Sequence, residues 1–359
     1  MFLGKAGVGF VSIRATGALL AAAYLALTLA GCSSGGQSGD PSSFLALSHV
    51  TAQGEVPILV ASTRRDDAGA TSHTHFSAVS VSVPPNHRAG EIEHGPFGHN
   101  VAGRDFVVAS HHRLTQADFL DEIAERASDA GAERDILLYV HGYDISLNEA
   151  RFRLAQIVVD SGFAGVAILF TWDSISRSGL AAYEADKESA TVARDALEKV
   201  ITDLSNARGV GRVHVLAHSM GAWLAMESLR AVAIAGRPDL DGRLGEVMLA
   251  APDIDVNVFS QQLQRVGPEH VTIFVSGTDR ALQLSSHIAG DRPRLGAMDP
   301  SDPRNREALE ALGVSVRDLS RLNTDFMGHN TFAEVPAVVR QIGLQLATTG
   351  DSGEADQSR

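Results

Sequence analysis

A serine hydroxyl is a poor nucleophile until a base accepts its proton, and imidazole can do this near neutral pH. One stretch of the chain is built to present such a serine: Val213-His214-Val215-Leu216-Ala217-His218-Ser219-Met220-Gly221. It begins as an apolar strand, reaches Ser219 with Ala217 and Gly221 two positions to either side, and continues as an apolar, alanine-rich helix to Ala235. A strand, a sharp turn carrying serine and then a helix hold the hydroxyl on a strained backbone. Small neighbours are needed because strand and helix nearly touch. In the usual G-x-S-x-G spacing the first glycine is here Ala217. An acid and a histidine follow in the order Ser219, Asp279, His329. His329 would take the serine proton, and Asp279 would fix the imidazole tautomer and stabilise the imidazolium. The backbone N–H groups of Met220 and Tyr143 would face the developing oxyanion. Asp253 follows the neighbouring strand and is the alternative acid. The plainer readings are a buried serine on an ordinary turn, a histidine at a helix start satisfied by backbone, and a capping aspartate.

The elements that must position these residues follow from periodicity. Val56–Thr63, Phe76–Val83 and Asp105–Ala109 read as strands separated by turn-rich segments, an antiparallel start to a sheet. Asp118–Ala130 reads as a helix. From Ile136 the rhythm becomes strand, helix, strand, helix. Ile136–Val140, Val166–Phe170, Val213–Leu216, Val247–Ala251 and Val271–Val275 are apolar runs of the kind buried on both faces. Helices are expected over about 148–161, 184–204 and 333–346; the second places Ala190, Ala193, Leu197, Val200 and Leu204 on one stripe. The expected class is α/β, a mostly parallel sheet with helices on both faces and an antiparallel N-terminal portion. Ligands in such sheets bind at the carboxyl ends of the strands. Those ends carry His141-Gly142-Tyr143-Asp144, Thr171-Trp172-Asp173-Ser174, Ser219, Asp253 and Asp279. His141 would buttress the oxyanion turn or line the pocket with Trp172 and Tyr183, the duller reading of the last two being core packing. The segments 174–182 and 287–327 are expected to roof the site.

Several of these motifs agree in order with one family. The chain shows His141-Gly142-Tyr143-Asp144, Thr171-Trp172-Asp173-Ser174, Tyr183 with Asp186, and Ala217-His218-Ser219-Met220-Gly221. Later come Ala251-Pro252-Asp253, Ser276-Gly277-Thr278-Asp279-Arg280-Ala281-Leu282 and Gly328-His329-Asn330. Over roughly 56–346 it resembles a bacterial branch of the α/β-hydrolase superfamily, known mainly as a domain of unknown function with esterase-like character. That resemblance implies the α/β-hydrolase fold and a hydrolase, and in that branch alanine at the position of Ala217 is normal. Asp144 stands where the branch has Asn and Asp173 where it has Pro, both at the mouth of the site.

Composition sets the remaining limits. The formal net charge of −13 argues against a nucleic-acid partner. The single cysteine, Cys32, excludes an intrachain disulfide. Lys5 and Arg14 precede an apolar run from Ala15 to Ala30, and Leu29-Ala30-Gly31-Cys32 resembles the bacterial lipobox. The expected organisation is a lipoprotein signal peptide over 1–31, a Ser/Gly tether over 32–43, a hydrolase domain over 44–348 and a disordered tail over 349–359. Lipidation of Cys32 would place the body in the bacterial cell envelope. The histidines His73, His75, His94, His99, His111 and His112 lie in turn-rich segments without metal-ligand spacing, so no metal and no cofactor is expected. The first functional reading is a serine hydrolase acting on a small-molecule or lipid ester through an acyl-enzyme. The alternatives are a non-catalytic envelope binding module, or a peptidase or acyltransferase with the same three residues. The sequence leaves the oligomeric state open.

Overall fold

The computed structural model describes residues 54–65, 73–130, 134–174, 179–322 and 327–351. The expected signal peptide, Cys32 and the tether lie outside them. Three strands open the sheet: β1 (Glu55–Ser62), β2 (His75–Ser82) and β3 (Val107–Leu114). They pair antiparallel, β1 with β2 and β2 with β3. β3 runs further than the expected 105–109, because His111-His112-Arg113 continue it. Charged residues are tolerated there since the strand lies at the sheet edge. Helix α1 (Gln116–Asp129) begins two residues earlier than periodicity suggests, where Thr115 and Asp118 form a reciprocal capping box.

The parallel part consists of β4 (Ile136–Val140), β5 (Val166–Thr171), β6 (Val213–His218), β7 (Leu244–Ala250), β8 (Val271–Val275) and β9 (Ser315–Asp318). Its helices are α2 (Leu147–Ser161), α3 (Leu180–Asn206), α4 (Met220–Ile234), α5 (Val256–Val266), α6 (Arg280–Ile288) and α7 (Pro303–Leu312). Two more, α8 (Thr331–Glu334) and α9 (Pro336–Asp351), end the described chain. The single final helix expected over 333–346 is therefore two, since Pro336 holds Val335 in an extended conformation. α9 also continues past residue 348.

The strands lie in the order β3-β2-β1-β5-β4-β6-β7-β8-β9. Strand side chains alternate between faces, and the two sides of the sheet bury separate cores. Leu138 and Val140 pack with Phe119 of α1, Leu197 of α3 and Leu224 of α4. Leu137 and Tyr139 pack with Leu154 of α2 and Ile342 of α9. The chain leaves β4 for β5 on one side and returns to β6 on the other. This reversal opens a crevice at the carboxyl end of β4, the expected place for a ligand in an open α/β sheet.

The expected roof over 287–327 is corrected. Its middle builds helix and sheet, and residues 323–326 lie outside the described ones: α7 leads into β9, which pairs parallel to β8 with Thr272 opposite Ser315. The strand was illegible because Ser-Val-Arg-Asp has neither a continuous apolar run nor a clean alternation. Among the described residues no helix is long and apolar enough to cross a membrane.

Candidate active site

β6 ends at His218, and Ser219 follows with φ 54° and ψ −121°, outside the regions an L-residue prefers. Three backbone bonds hold it there. Its N–H donates to Ala250 O (2.9 Å), while its carbonyl accepts from Ala222 N (3.0 Å) and Asp253 N (3.1 Å). A methyl group on Gly221 would come within 2.2 Å of His141 O and 2.7 Å of Val140 O, so only glycine lets α4 lie against the end of β4. Met220 is the first residue of α4, where backbone N–H groups have no partner within the helix.

The turn after β4 comes alongside because β4 and β6 pair with Val140 opposite Ala217. A Cβ on Gly142 would stand 3.0 Å from Ser219 Cβ, so Tyr143 begins next to the serine. His141 lies beneath this turn, fully buried. Its Nε2 accepts from Trp172 N–H (3.3 Å), which makes Nδ1 the protonated nitrogen; Nδ1 donates to Gly142 O (2.8 Å). Burial and the nearby Arg64 charge lower its pKa to about 3, so the ring is neutral. The Trp172 indole stacks on it at 5.2 Å and donates from Nε1 to His141 O (3.0 Å). Trp172 and His141 are therefore not pocket-lining residues, as both are enclosed under the turn and expose no surface.

Arg64 is the residue that sequence reading missed here. Its Nε donates to Thr171 Oγ1 (2.8 Å), one Nη to Ser174 O (3.0 Å) and the other to Ile145 O (2.5 Å). One guanidinium thus ties the ends of β1, β4 and β5 together. An arginine just after a strand ordinarily reads as a solvated end, and nothing local distinguishes this one. Asp186, on α3, accepts from Ser174 Oγ (2.6 Å). Asp144 sits at φ 56° at the rim, where burial, Glu149 and Asp186 raise its carboxyl to about 6. Asp173, the other departure at the mouth, pairs with Arg65 (2.6 Å).

The loop before α8 brings His329 to the same end of the sheet. Its Nδ1–H donates to Asp279 Oδ2 (2.7 Å). Asp279 is fully buried at the start of α6, and its Oδ1 accepts from Leu282 N (3.0 Å). It is thus both a helix cap and the partner of His329. His218, immediately before the serine, has a ring 4.7 Å from that of His329 and donates from Nε2 to His329 O (3.2 Å). Burial, with the adjacent His329, holds His218 well below the usual imidazole range, so it serves as a neutral donor that fixes the His329 backbone.

The Asp253 carboxylate has other partners than His329, although the N–H of that residue is bonded to the serine turn. It accepts from Tyr183 Oη (2.8 Å) and Ser285 Oγ (2.6 Å). Arg294 Nε lies 3.2 Å from Asp253 Oδ1, close enough for an ion pair but without the alignment of a hydrogen bond. Tyr183 is nearly buried in this network and stands edge-on to Tyr143 at 5.6 Å. Asp255 caps α5 and pairs with Arg292 (2.8 Å). Among the described residues, no group of three or more His, Cys, Asp or Glu side chains is placed to hold a metal ion.

The arrangement of strand, serine turn and helix, with the Asp279–His329 pair at the same end of the sheet, can be set against known proteins. Solved structures with a similar course include an esterase of Pyrobaculum calidifontis (12% identity, 81% of this chain and 84% of that one, TM-score 0.35). A thermostable esterase from Pseudomonas putida is 13% identical over 84% of each chain, with a TM-score of 0.36. Carboxyl esterase 2 of the fungus Tuber melanosporum is 9% identical over 83% of this chain and 89% of that one, with a TM-score of 0.35. No curated protein matches the chain. The model of the family described as alpha/beta hydrolase of unknown function (DUF900) matches residues 116–347, which span β4 to β9 and all three of Ser219, Asp279 and His329. The chain belongs to that family of α/β hydrolases.

Proposed function

We propose that the protein is a serine hydrolase of carboxylic esters that works through an acyl-enzyme. The observation that carries this reading is the serine held at φ 54° at the end of β6, with His218, the residue before it, 4.7 Å ring to ring from a histidine whose Nδ1 is bonded to a buried carboxylate at 2.7 Å. In the proposed reaction His329 Nε2 takes the Ser219 proton as Oγ attacks the ester carbonyl. Asp279 keeps the proton on Nδ1, so Nε2 is free to accept. The N–H groups of Met220 and Tyr143 bind the oxyanion. His329 then gives the proton to the leaving alcohol, and a water, deprotonated by the same imidazole, releases the acid. Neutral esters suit the site best, because Asp144, Glu149 and Asp186 raise the negative potential at its mouth.

The test is labelling of the full-length protein, in detergent, with a fluorophosphonate probe. Wild type is expected to label and Ser219→Ala is not. A well-folded wild type that stays unlabelled would sink the reading and leave a binding module on a hydrolase fold.

We also propose that Cys32 carries lipid and holds the body at the bacterial cell envelope, on the strength of the Leu29-Ala30-Gly31-Cys32 motif after an apolar run. Expressed in a bacterial host, the wild type should partition into the detergent phase and Cys32→Ser into the aqueous phase. Equal partitioning of the two would remove lipidation from the account.

A further inference from the structure

Burying a guanidinium is costly unless a carboxylate compensates it, and the buried arginines of this fold mostly obey. Arg126 has Glu122 at 2.9 Å and Arg294 has Asp253 at 3.2 Å. Arg151, on the second turn of α2, does not. It is 8% exposed and donates from Nη1 to the Asn148 amide oxygen (3.2 Å), while its Nε has no hydrogen-bond partner. Among the described residues no carboxylate lies within ion-pair distance of it. Arg64 spends its donors on neutral oxygens, and Asp173, Asp186 and Glu149 compensate its charge only at longer range. These two cations are near enough that burial and then the Arg64 charge lower Arg151 to about 10.

One more cation, Arg113, and a histidine come from the sheet. His111 and Arg113 are two apart on β3 and so point to one face; they lie opposite Val79 and Ser77 of β2. His111 is held below its usual range by burial and then by Arg151, Arg113 and His112. Thr63, at the end of β1, has a buried hydroxyl without a partner. All of these line a cleft of about 1620 Å³ that Ser219, Asp279 and His329 do not touch. Its acids, Asp195 and Asp203, are on the α3 wall and engaged: Asp203 with Lys199 (2.7 Å) and Gln116 (2.7 Å), Asp195 with Arg194 (3.2 Å). Such a concentration of cations is unexpected in a chain of net charge −13.

We propose that Arg151, backed by Arg64 and faced by His111 and Arg113, binds a small oxyanion of the phosphate class at a site separate from the Ser219 turn. The Arg151 guanidinium, with its Nε unpartnered, matches a phosphate edge, and the anion balances its uncompensated charge. The ligand is free phosphate or the phosphate group of a larger molecule such as a lipid headgroup. The proposal is independent of what Ser219 does.

Calorimetric titration of the full-length protein with inorganic phosphate, at constant ionic strength, tests it. One site is expected. Arg151→Gln should weaken binding by about tenfold or more, and His111→Gln by less. Arg208→Gln, whose exposed partner Asp121 is outside the cleft, should bind as wild type does. Removing an uncompensated buried charge should leave the unliganded Arg151→Gln protein melting no lower than wild type. If that variant fails to fold, Arg113→Gln carries the test with the same expected loss. No heat beyond that of a chloride titration, or wild-type affinity in Arg151→Gln and Arg113→Gln, would overturn the site. Tighter binding of soluble dihexanoyl phosphatidic acid than of inorganic phosphate would assign the ligand to a lipid headgroup; the reverse would assign it to free phosphate.

Discussion

Replacing Asp279 by Asn changes one atom at the centre of the proposed mechanism, and the surroundings dictate the outcome. Asp279 uses its two oxygens differently: Oδ1 caps α6 through Leu282 N (3.0 Å), and Oδ2 accepts the His329 Nδ1 proton (2.7 Å). Asn can keep the cap, since Asn and Asp are equally good at a helix start. Its NH2 must then face His329 Nδ1, which can only accept from it. The proton moves to Nε2, and the imidazole can no longer take a proton from Ser219. The corresponding change in serine proteases lowers kcat by about 10⁴, or ~5.5 kcal/mol of transition-state stabilisation. We expect a loss of that order here, with Tm changed by only a few degrees. Asp253→Asn should behave oppositely. It leaves the buried Arg294 without its carboxylate, which typically costs ~3–5 kcal/mol of stability, while the His329 tautomer is untouched. The assay is hydrolysis of a short p-nitrophenyl ester by the full-length proteins, with activity expressed per folded molecule and thermal melting run in parallel. If Asp253→Asn silenced a folded enzyme while Asp279→Asn kept most of its turnover, the assignment of the acid would be wrong.

Two further outcomes concern pH. The Asp144 carboxyl is raised to about 6, so the native protein binds more protons than the unfolded chain between roughly pH 4 and 6, and stability falls as pH rises through that window. Asp144→Asn should therefore raise Tm at pH 8 and leave it unchanged at pH 4. Partial solvent exposure limits the gain to ~1 kcal/mol or less; equal shifts at both pH values would contradict the argument. His87 carries the opposite sign. Burial disfavours its cation, but hydrogen bonds to Asp160 (3.0 Å) and Glu93 (2.9 Å) outweigh this and raise its pKa. Its contribution is complete below the unfolded value near 6.5 and is lost as pH rises through the folded one. His87→Gln should thus lower Tm more at pH 6 than at pH 9, and a pH-independent loss would show that the charge is irrelevant.

What the sequence determined by itself is whatever is written in local pattern. Mostly apolar runs identified β4 to β8, because strands buried on both faces admit few polar side chains. Small residues around Ser219 marked the turn, because backbone approach leaves no room for a side chain: at Gly221 a methyl group would overlap His141 O. The tertiary structure alone decided which partners meet. Asp253 and Asp279 each follow a strand in the same layer, and no local feature separates them. Their difference arises because the loop before α8 delivers His329 to Asp279, while α3 and α6 deliver Tyr183 and Ser285 to Asp253. Arg64 and Arg151 are ordinary arginines on paper, and β9 is four residues of mixed polarity. Their meaning depends on contacts made across long stretches of chain: Arg64 reaches Thr171, and β9 is a strand only because β8 is already there to pair with it.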